Sequence, residues 1–418
     1  MNIYFSGIGG VGIGPLAEIA YDAEYGVCGS DPAVSPMTQS LANRGITVSQ
    51  DQTGEHLRKC HEHRAIDWFV HTAALPTNHP ELHTARELGL HIAKRDELIN
   101  LIVTEKDLRL VAVAGTHGKT SASAMFVWVL QQLGIPASYS VGAPLGFAPS
   151  GHLDPHAEYF VYECDEFDKN FLHFTPYLSL ITSIDYDHPD TYPTAHEYAS
   201  AFTQFIAQSH HTILWQHDLS SGTITHKDAW VLQDDDSVSV SLPGVHNRAN
   251  ATLVAKACEY LSIGTNNQII AAIESFPGAA RRFEKLAKGI YSDYGHHPTE
   301  IAATLQLARE MSPYVLLVYQ PHQNTRQHQV RNDYTTCMSL AKEIIWLPTY
   351  LSREDESLPV LSPQDLTQNL ANKESVRYGV LDDTLWRQIK VARDKGMLVL
   401  CMGAGNIDNW IRDKLSNE

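Results

Sequence analysis

Nowhere in this 418-residue chain does an apolar run approach the roughly 18 residues that a membrane-crossing helix needs, which argues against a span. Cysteine is sparse. Its six copies, at positions 28, 60, 164, 258, 337 and 401, form no Cys-x-x-Cys, so neither a disulfide framework nor a structural zinc site is expected, and a reducing cytoplasm fits. Basic residues are outnumbered, with 31 Lys and Arg against 48 Asp and Glu. The formal net charge of −17 with no basic run argues against a nucleic-acid partner, so any phosphate-bearing ligand must be held locally. The N-terminus lacks a basic segment ahead of an apolar one and reaches a glycine turn by Gly7, so no signal peptide is expected. Short-period repeats and low-complexity tracts are also missing.

At this length the chain suits two or three domains, and with 43% apolar residues it reads as globular throughout. Short β segments alternate with helical stretches: Asn2–Ser6, a helix from Val11 to Tyr21, Val27–Ser30, a helix from Met37 to Arg44, then Asp67–Thr72 and a helix from about His79. Such alternation gives a parallel sheet covered by helices. A second unit starts near Leu108, with β segments at Tyr159–Glu163 and Tyr177–Ser183 and helices at Ala195–Ser209 and Ala249–Leu261. A third follows Phe276-Pro-Gly278, with β segments at Gly289–Asp293, Tyr314–Tyr319, Ile344–Leu347 and Met397–Cys401. The expectation is three consecutive α/β domains over residues 1–105, 106–277 and 278–418.

Two glycine turns follow strands. Gly7-Ile-Gly-Gly-Val-Gly12 is a full G-x-G-x-x-G, comprising Gly7, Gly9, Gly10, Val11 and Gly12, and Asp31 lies nineteen residues further on. That spacing suits a pyrophosphate and a ribose without naming the nucleotide, and an NAD-dependent oxidoreductase is one reading. The second turn, Gly115-Thr-His-Gly-Lys-Thr-Ser121, joins an apolar segment to a helical one. Backbone N–H groups of Gly115, Thr116, His117, Gly118 and Ser121 can cradle a triphosphate there, with Lys119 beside it and Thr120 toward a magnesium ion. The ordinary P-loop would have glycine at 113, where this chain has Val113.

Carboxylates end two further β segments: Glu163, Asp165 and Glu166 after one, Asp185 and Asp187 with His188 after the other. Beside a phosphate turn they can hold magnesium; alone they read as helix caps or solvated loop residues. Asp293-Tyr-Gly-His-His-Pro298 and Gln320-Pro-His-Gln-Asn-Thr-Arg326 repeat a strand-then-histidine layout, and Arg326 suits a carboxylate. In His246-Asn-Arg-Ala-Asn250 the asparagines read by default as helix caps.

Taken in order, these motifs resemble the Mur ligase family, ATP-dependent enzymes that build the peptide of the peptidoglycan precursor. The resemblance implies a Rossmann-like N-terminal domain, a central P-loop-type ATPase domain with a mostly parallel sheet, and a Rossmann-like C-terminal domain. It implies ATP and Mg2+, and the joining of L-alanine, or a short peptide, to the lactyl carboxylate of UDP-N-acetylmuramate through an acyl phosphate. Lys119 would meet the β- and γ-phosphates, Thr120 and Glu163 one magnesium, and His188 a second. Asn247 and Asn250 would lie by the adenine, Arg282 toward the phosphates, and Asp293 toward the ribose. The Gly7–Gly12 turn and Asp31 would take the UDP-sugar, while His296, His322 and Arg326 would take the incoming amino acid. Relatives that add one amino acid usually carry Arg and Tyr where this chain has Gln323 and Asn324; the tripeptide-adding branch usually has Ala at the position of Gly295 and lacks the Gln-Pro-His triplet. Monomer and dimer both remain open.

Overall fold

Each of the three stretches in which apolar β segments alternate with helices builds its own sheet. The computed structural model describes residues 1–72, 75–188, 191–219, 229–352 and 354–417. The first sheet contains β1 (Asn2–Ser6), β2 (Gly26–Ser30), β3 (Thr47–Ser49), β4 (Trp68–His71) and β5 (His91–Lys94), all parallel, in the order β3-β2-β1-β4-β5. Ile3, Tyr4 and Phe5 of β1 are fully buried, the uninterrupted apolar pattern of a strand covered on both faces. Because β2 and β4 flank β1, the chain reverses its lateral direction there, and the Gly7–Gly12 turn sits at the crevice that this reversal opens.

The second sheet has β6 (Arg109–Ala114), β7 (Ala137–Ser140), β8 (Gly151–His152), β9 (Tyr159–Glu163), β10 (Leu178–Ile181), β11 (Thr212–Trp215) and β12 (Ala229–Leu232). Their order is β12-β11-β10-β6-β9-β7-β8, and only β8 runs antiparallel to its neighbour. Here the reversal falls at β6. The phosphate turn after β6 therefore lies between the ends of β9 and β10, the strands that deliver Glu163 and the segment to His188. The third sheet comprises β13 (Glu284–Ala287), β14 (Ile290–Asp293), β15 (Val315–Tyr319), β16 (Glu343–Trp346), β17 (Val376–Tyr378) and β18 (Leu398–Met402), in the order β13-β14-β18-β15-β16-β17. It is parallel except for the β13–β14 hairpin.

Two compact units emerge: Met1–Val238 with Asn250–Pro277, and Ser239–Ala249 with Gly278–Glu418. Within the first unit, β8 is pressed onto the helix Gly14–Asp22 so closely that a Cβ on Gly151 would lie 2.1 Å from the Pro15 carbonyl oxygen. Buried Glu18 accepts the Gly151 N–H at 3.2 Å, and Asp22 accepts that of Leu153 at 3.1 Å. These contacts fix the glycine turn of the first sheet relative to the second. Among the described residues no helix is long and apolar enough to cross a membrane.

Two helix boundaries differ from the sequence expectation. The first helix begins at Gly14, not Val11, because Gly7 adopts φ 76° and residues 7–13 form turns. The helix expected from Ala249 starts a turn earlier, at Val245, so Asn247 and Asn250 lie inside it and neither is its N-cap.

Candidate active site

The phosphate turn is sewn to the end of β10. Thr116 N donates to Ser183 O at 2.9 Å, His117 N to Ser183 Oγ at 2.9 Å, and Thr182 Oγ1 to His117 O at 2.6 Å. Thr116 Oγ1 adds a bond to Asp185 O at 2.8 Å, and His117 Nε2 lies 3.0 Å from Asp185 Oδ2. Gly118, with φ 88°, caps the helix Lys119–Gln132, which directs the first N–H groups of that helix at the turn. Ser121 lies in its first turn. Asn250 is 4% exposed and packs its amide on the turn: a Cβ on Gly118 would be 3.0 Å from Asn250 Oδ1, and buried Asn250 Nδ2 has no hydrogen-bond partner among the described residues. Asn247 instead donates from Nδ2 to Pro243 O at 3.0 Å.

Around this turn the carboxylates, expected as one cluster, divide into two settings. Glu163 Oε1 accepts from Thr120 Oγ1 at 2.8 Å and Oε2 from Gly142 N at 2.6 Å. A hydroxyl and a carboxylate side by side form a hard-oxygen pair of the kind magnesium takes. Glu166 is fully buried and faces the other way, 2.7 Å from Lys119 Nζ and 3.5 Å from His188 Nε2. Asp165, Glu166 and His188 bring ligand atoms within 4.8 Å of one another. Asp165 Oδ1 also accepts the Phe167 N–H at 3.2 Å, a local turn bond; the N-cap of the segment Phe167–His173 is Glu166, with no side-chain cap, so the helix-cap reading does not hold for these carboxylates.

Charge in this cluster is self-supporting. Burial alone would lower the Lys119 pKa, but Glu166 and then Asp165 hold the ammonium charged well above its usual range. Burial would likewise raise Glu166, yet Lys119 and His188 keep its carboxyl below the ordinary value. His188 is pushed up despite burial by its bond to Glu166. Tyr198 and Tyr192 complete the shell: Tyr198 Oη lies 3.4 Å from Glu166 Oε1 and 2.7 Å from Thr116 Oγ1, and Tyr192 Oη donates to Glu166 O at 2.6 Å. Sequence reasoning missed both tyrosines and the Lys119–Glu166 pair. Glu166 already stood among the carboxylates that end the β segment Tyr159–Glu163, but no spacing signal links it to tyrosines at 192 and 198.

In the first sheet, Asp31 Oδ2 accepts the Gly9 N–H at 3.0 Å and Oδ1 that of Ala33 at 3.0 Å. The carboxylate expected to meet a ribose thus braces its own turn. Gly9 is forced, since a Cβ would lie 2.7 Å from Thr38 Cγ2 and 2.9 Å from Asp31 Oδ2. Gly10 packs on the Gly7 carbonyl, and Val11 projects into solvent, 68% exposed.

In the third sheet the loops after β14, β18 and β15 meet. Gln320 ties two of them, its Oε1 accepting from Ile407 N at 3.0 Å and its Nε2 donating to Asn406 Oδ1 at 2.8 Å. His296 gathers the candidate amino-acid residues: Arg326 Nη1 lies 3.0 Å from its Nε2, and the His322 ring is centred 6.0 Å from its own. His322 stacks on Tyr350 and lies 3.2 Å from Ser352 Oγ. Gln323 takes φ 61°, and buried Asn324 bonds Pro359 O and Leu361 N, so these two departures from the usual pattern shape the loop that carries Arg326. Arg282 covers the Tyr294 ring at 5.1 Å. Asp293 accepts N–H groups from Phe283 at 2.8 Å and Gly295 at 2.7 Å, bracing the loop from both sides.

Burial pushes the Asp293 carboxyl up to about 6, against Arg282 and its two donors, and pulls His296 down to about 4, against Glu300. The two act oppositely on stability. The stabilising share of Asp293, raised when folded, is complete below its ordinary value and disappears as pH rises through about 6; that of His296, lowered when folded, is complete above its ordinary value and disappears as pH falls through about 4. Each amounts to about 3 kcal/mol at ~1.4 kcal/mol per pH unit, so between pH 4 and 6 they nearly cancel. His296→Gln should unmask a stability that falls with rising pH across this window relative to wild type. Urea midpoints of the two proteins measured from pH 4 to 7 check it, and parallel profiles would refute it.

Three family profiles match the chain: "Mur ligase family, catalytic domain" over residues 2–106, "Mur ligase middle domain" over 113–230, and "Mur ligase, glutamate ligase domain" over 281–405. A UDP-N-acetylmuramate–L-alanine ligase of Clostridium botulinum is 30% identical, covering 97% of this chain and 95% of that protein. One from Desulfosudis oleivorans is 28% identical over 100% and 98%. Among solved structures, the UDP-N-acetylmuramate-alanine ligase of Thermotoga maritima superposes with a TM-score of 0.77 at 22% identity, covering the whole of both chains. A murein peptide ligase of Psychrobacter arcticus gives 0.70 at 22% identity, covering 100% and 98%.

Proposed function

The chain belongs to the Mur ligase family, and from that premise we propose that it uses ATP to join L-alanine to the lactyl carboxylate of UDP-N-acetylmuramate. The observation that carries the ATP half is the turn Gly115–Ser121 lying between the ends of β9 and β10, with Lys119, Thr120, Glu163 and His188 around it. Full-length similarity to L-alanine-adding relatives supports the other half.

In this reading the lactyl carboxylate attacks the γ-phosphorus, ADP departs, and the amine of alanine displaces phosphate from the acyl phosphate to give the amide. With the Thr116 and His117 N–H groups bonded to Ser183, the N–H groups at the start of the helix Lys119–Gln132 orient the triphosphate, and Lys119 offsets its charge as the carboxylate approaches. Asn250, with its spare amide N–H at the turn, serves the nucleotide, as Asn247, Arg282 and Asp293 do from their own positions. Thr120 and Glu163 fit one Mg2+ through their paired oxygens and His188 fits a second; bound there, the ions supply further charge neutralisation between two anions. Gly7–Gly12 with Asp31 binds the sugar nucleotide. Arg326 faces the carboxylate of the amino acid, beside His296 and His322.

Phosphate release from ATP is expected only when UDP-N-acetylmuramate and L-alanine are both present, and to stop on chelation of Mg2+. Release with a tripeptide and none with L-alanine would move the chain to the peptide-adding branch, a possibility that Gln323 and Asn324 keep in view. NADH oxidation in place of phosphate release would overturn the ligase reading.

A further inference from the structure

Four consecutive charged residues, Lys94 to Glu97, enter the helix Arg95–Glu105, and the structure treats the first three unequally. Lys94 Nζ lies 2.6 Å from Asp168 Oδ2, and buried Asp96 is ion-paired with His173. Both partners sit on the segment Phe167–His173 that follows Glu166, where Asp168 and Lys169 hold left-handed backbone, φ 54° and 59°. Arg95, between the two anchors, makes no hydrogen bond or ion pair among the described residues. Its guanidinium reaches the glycine turn instead: a Cβ on Gly12 would be 3.1 Å from Nη1. On its other side Cζ lies 5.9 Å from the centre of the Tyr162 ring.

This arrangement reassigns the last glycine of the G-x-G-x-x-G pattern. That glycine usually allows close helix packing. Here the helix starts at Gly14, and it is Gly14 that packs, with a Cβ there only 2.5 Å from Met37 Cγ. Gly12 leaves room for Arg95. An arginine set against the glycine turn, with no hydrogen-bond or ion-pair partner among the described residues, is an incomplete anion site, because its fork matches phosphate oxygens in geometry and charge. Asp31 does not complete it: its carboxylate accepts from Gly9 and Ala33 and forms no ion pair with Arg95 among the described residues.

We propose that Arg95 binds the diphosphate of the sugar nucleotide, closing from the Tyr162 side the anion site that Gly7–Gly12 form. The proposal rests on the reading of that turn as the sugar-nucleotide site. With Lys94 and Asp96 pinned on either side, the guanidinium is held in place before the ligand arrives, so little ordering accompanies binding.

The test measures calorimetric affinities of the full chain for UDP-N-acetylmuramate, UDP and uridine in wild type, Arg95→Met and Arg95→Lys. Arg95→Met should weaken UDP-N-acetylmuramate and UDP alike by about 10- to 100-fold and leave uridine unchanged. Arg95→Lys, which keeps the charge and loses the fork, should fall between, and decides the matter if the methionine variant does not fold. In turnover, KM for the sugar nucleotide should rise while kcat and the KM for ATP stay near wild type. Loss for UDP-N-acetylmuramate but not UDP would place the guanidinium on the sugar's carboxylate and overturn the proposal. Equal affinities, or equal losses that include uridine and ATP, would overturn it too. Wild-type protein that binds UDP without ligase turnover would overturn the proposed function alone, with UDP against uridine still judging Arg95; failure to bind either diphosphate would overturn both.

Discussion

Lys119→Ala is expected to lower phosphate release dependent on UDP-N-acetylmuramate by about 10³-fold or more, beyond what loss of a single neutral donor costs. The ammonium is held by Gly115 O at 2.5 Å, Thr116 O at 3.3 Å and Glu166 Oε2 at 2.7 Å, so it stands charged and oriented at the turn before any nucleotide arrives. An ammonium placed in advance needs no reorganisation as charge shifts during phosphoryl transfer, and alanine leaves nothing in its place. The same substitution strips fully buried Glu166 of its main counter-charge, leaving His188 at 3.5 Å. Removing one member of a buried pair costs about 3–5 kcal/mol, so the variant should also unfold at lower urea. Lys119→Ala with Glu166→Gln separates the effects: the uncharged amide no longer demands a cation, so stability should return toward wild type while phosphate release stays lost. Turnover of Lys119→Ala within tenfold of wild type would refute the assigned role. Recovery of turnover in the double variant would show that the single loss came from a damaged fold.

Much of this arrangement was legible before the structure because strand ends in a parallel sheet share one edge. Apolar runs such as Val111-Ala-Val-Ala114 and Tyr314–Tyr319 announce strands, and a motif just past each must lie on that edge. The neighbour order was not legible. That β6 lies between β9 and β10 is fixed by long-range pairing, and it alone makes Glu163 and His188 neighbours of one turn. Edge strands escaped notice for a different reason: Thr47–Ser49 and His91–Lys94 are short, polar and partly solvated, so they carry no apolar signal. Arg95 escaped because it belongs to no motif. Its meaning comes from the ion pairs of its two neighbours, with partners more than seventy residues away. For Asn250 the default reading as a cap failed because the helix began a turn early and moved the residue inside.

Gly115→Ala is expected to abolish ATP-dependent turnover, by about 10² to 10³-fold, while affinity for UDP-N-acetylmuramate stays within a few-fold of wild type. Gly115 holds φ 133°, a conformation that costs an L side chain about 1–3 kcal/mol. Space is the larger obstacle: its Cβ would lie 2.4 Å from Thr182 Oγ1 and 2.8 Å from both the nitrogen and the oxygen of Ser183. Two of those three atoms are backbone and cannot swing aside. The turn itself must lift from β10, breaking the bonds from Thr116 N and His117 N that fix its outline. A displacement of about 1 Å at reacting groups costs on the order of 10²-fold in rate. The companion substitution Val113→Gly would restore the ordinary P-loop spacing and should gain nothing. Val113 is fully buried inside β6, paired with Leu180 on one side and Glu163 on the other, so the phosphate loop here begins only after Ala114. Glycine at 113 would remove a buried side chain and loosen the strand, lowering stability by about 2–4 kcal/mol with ATP affinity little changed. Nucleotide titration and urea unfolding of both variants check this, and a Val113→Gly protein that binds ATP more tightly would refute the assignment of position 113 to the strand.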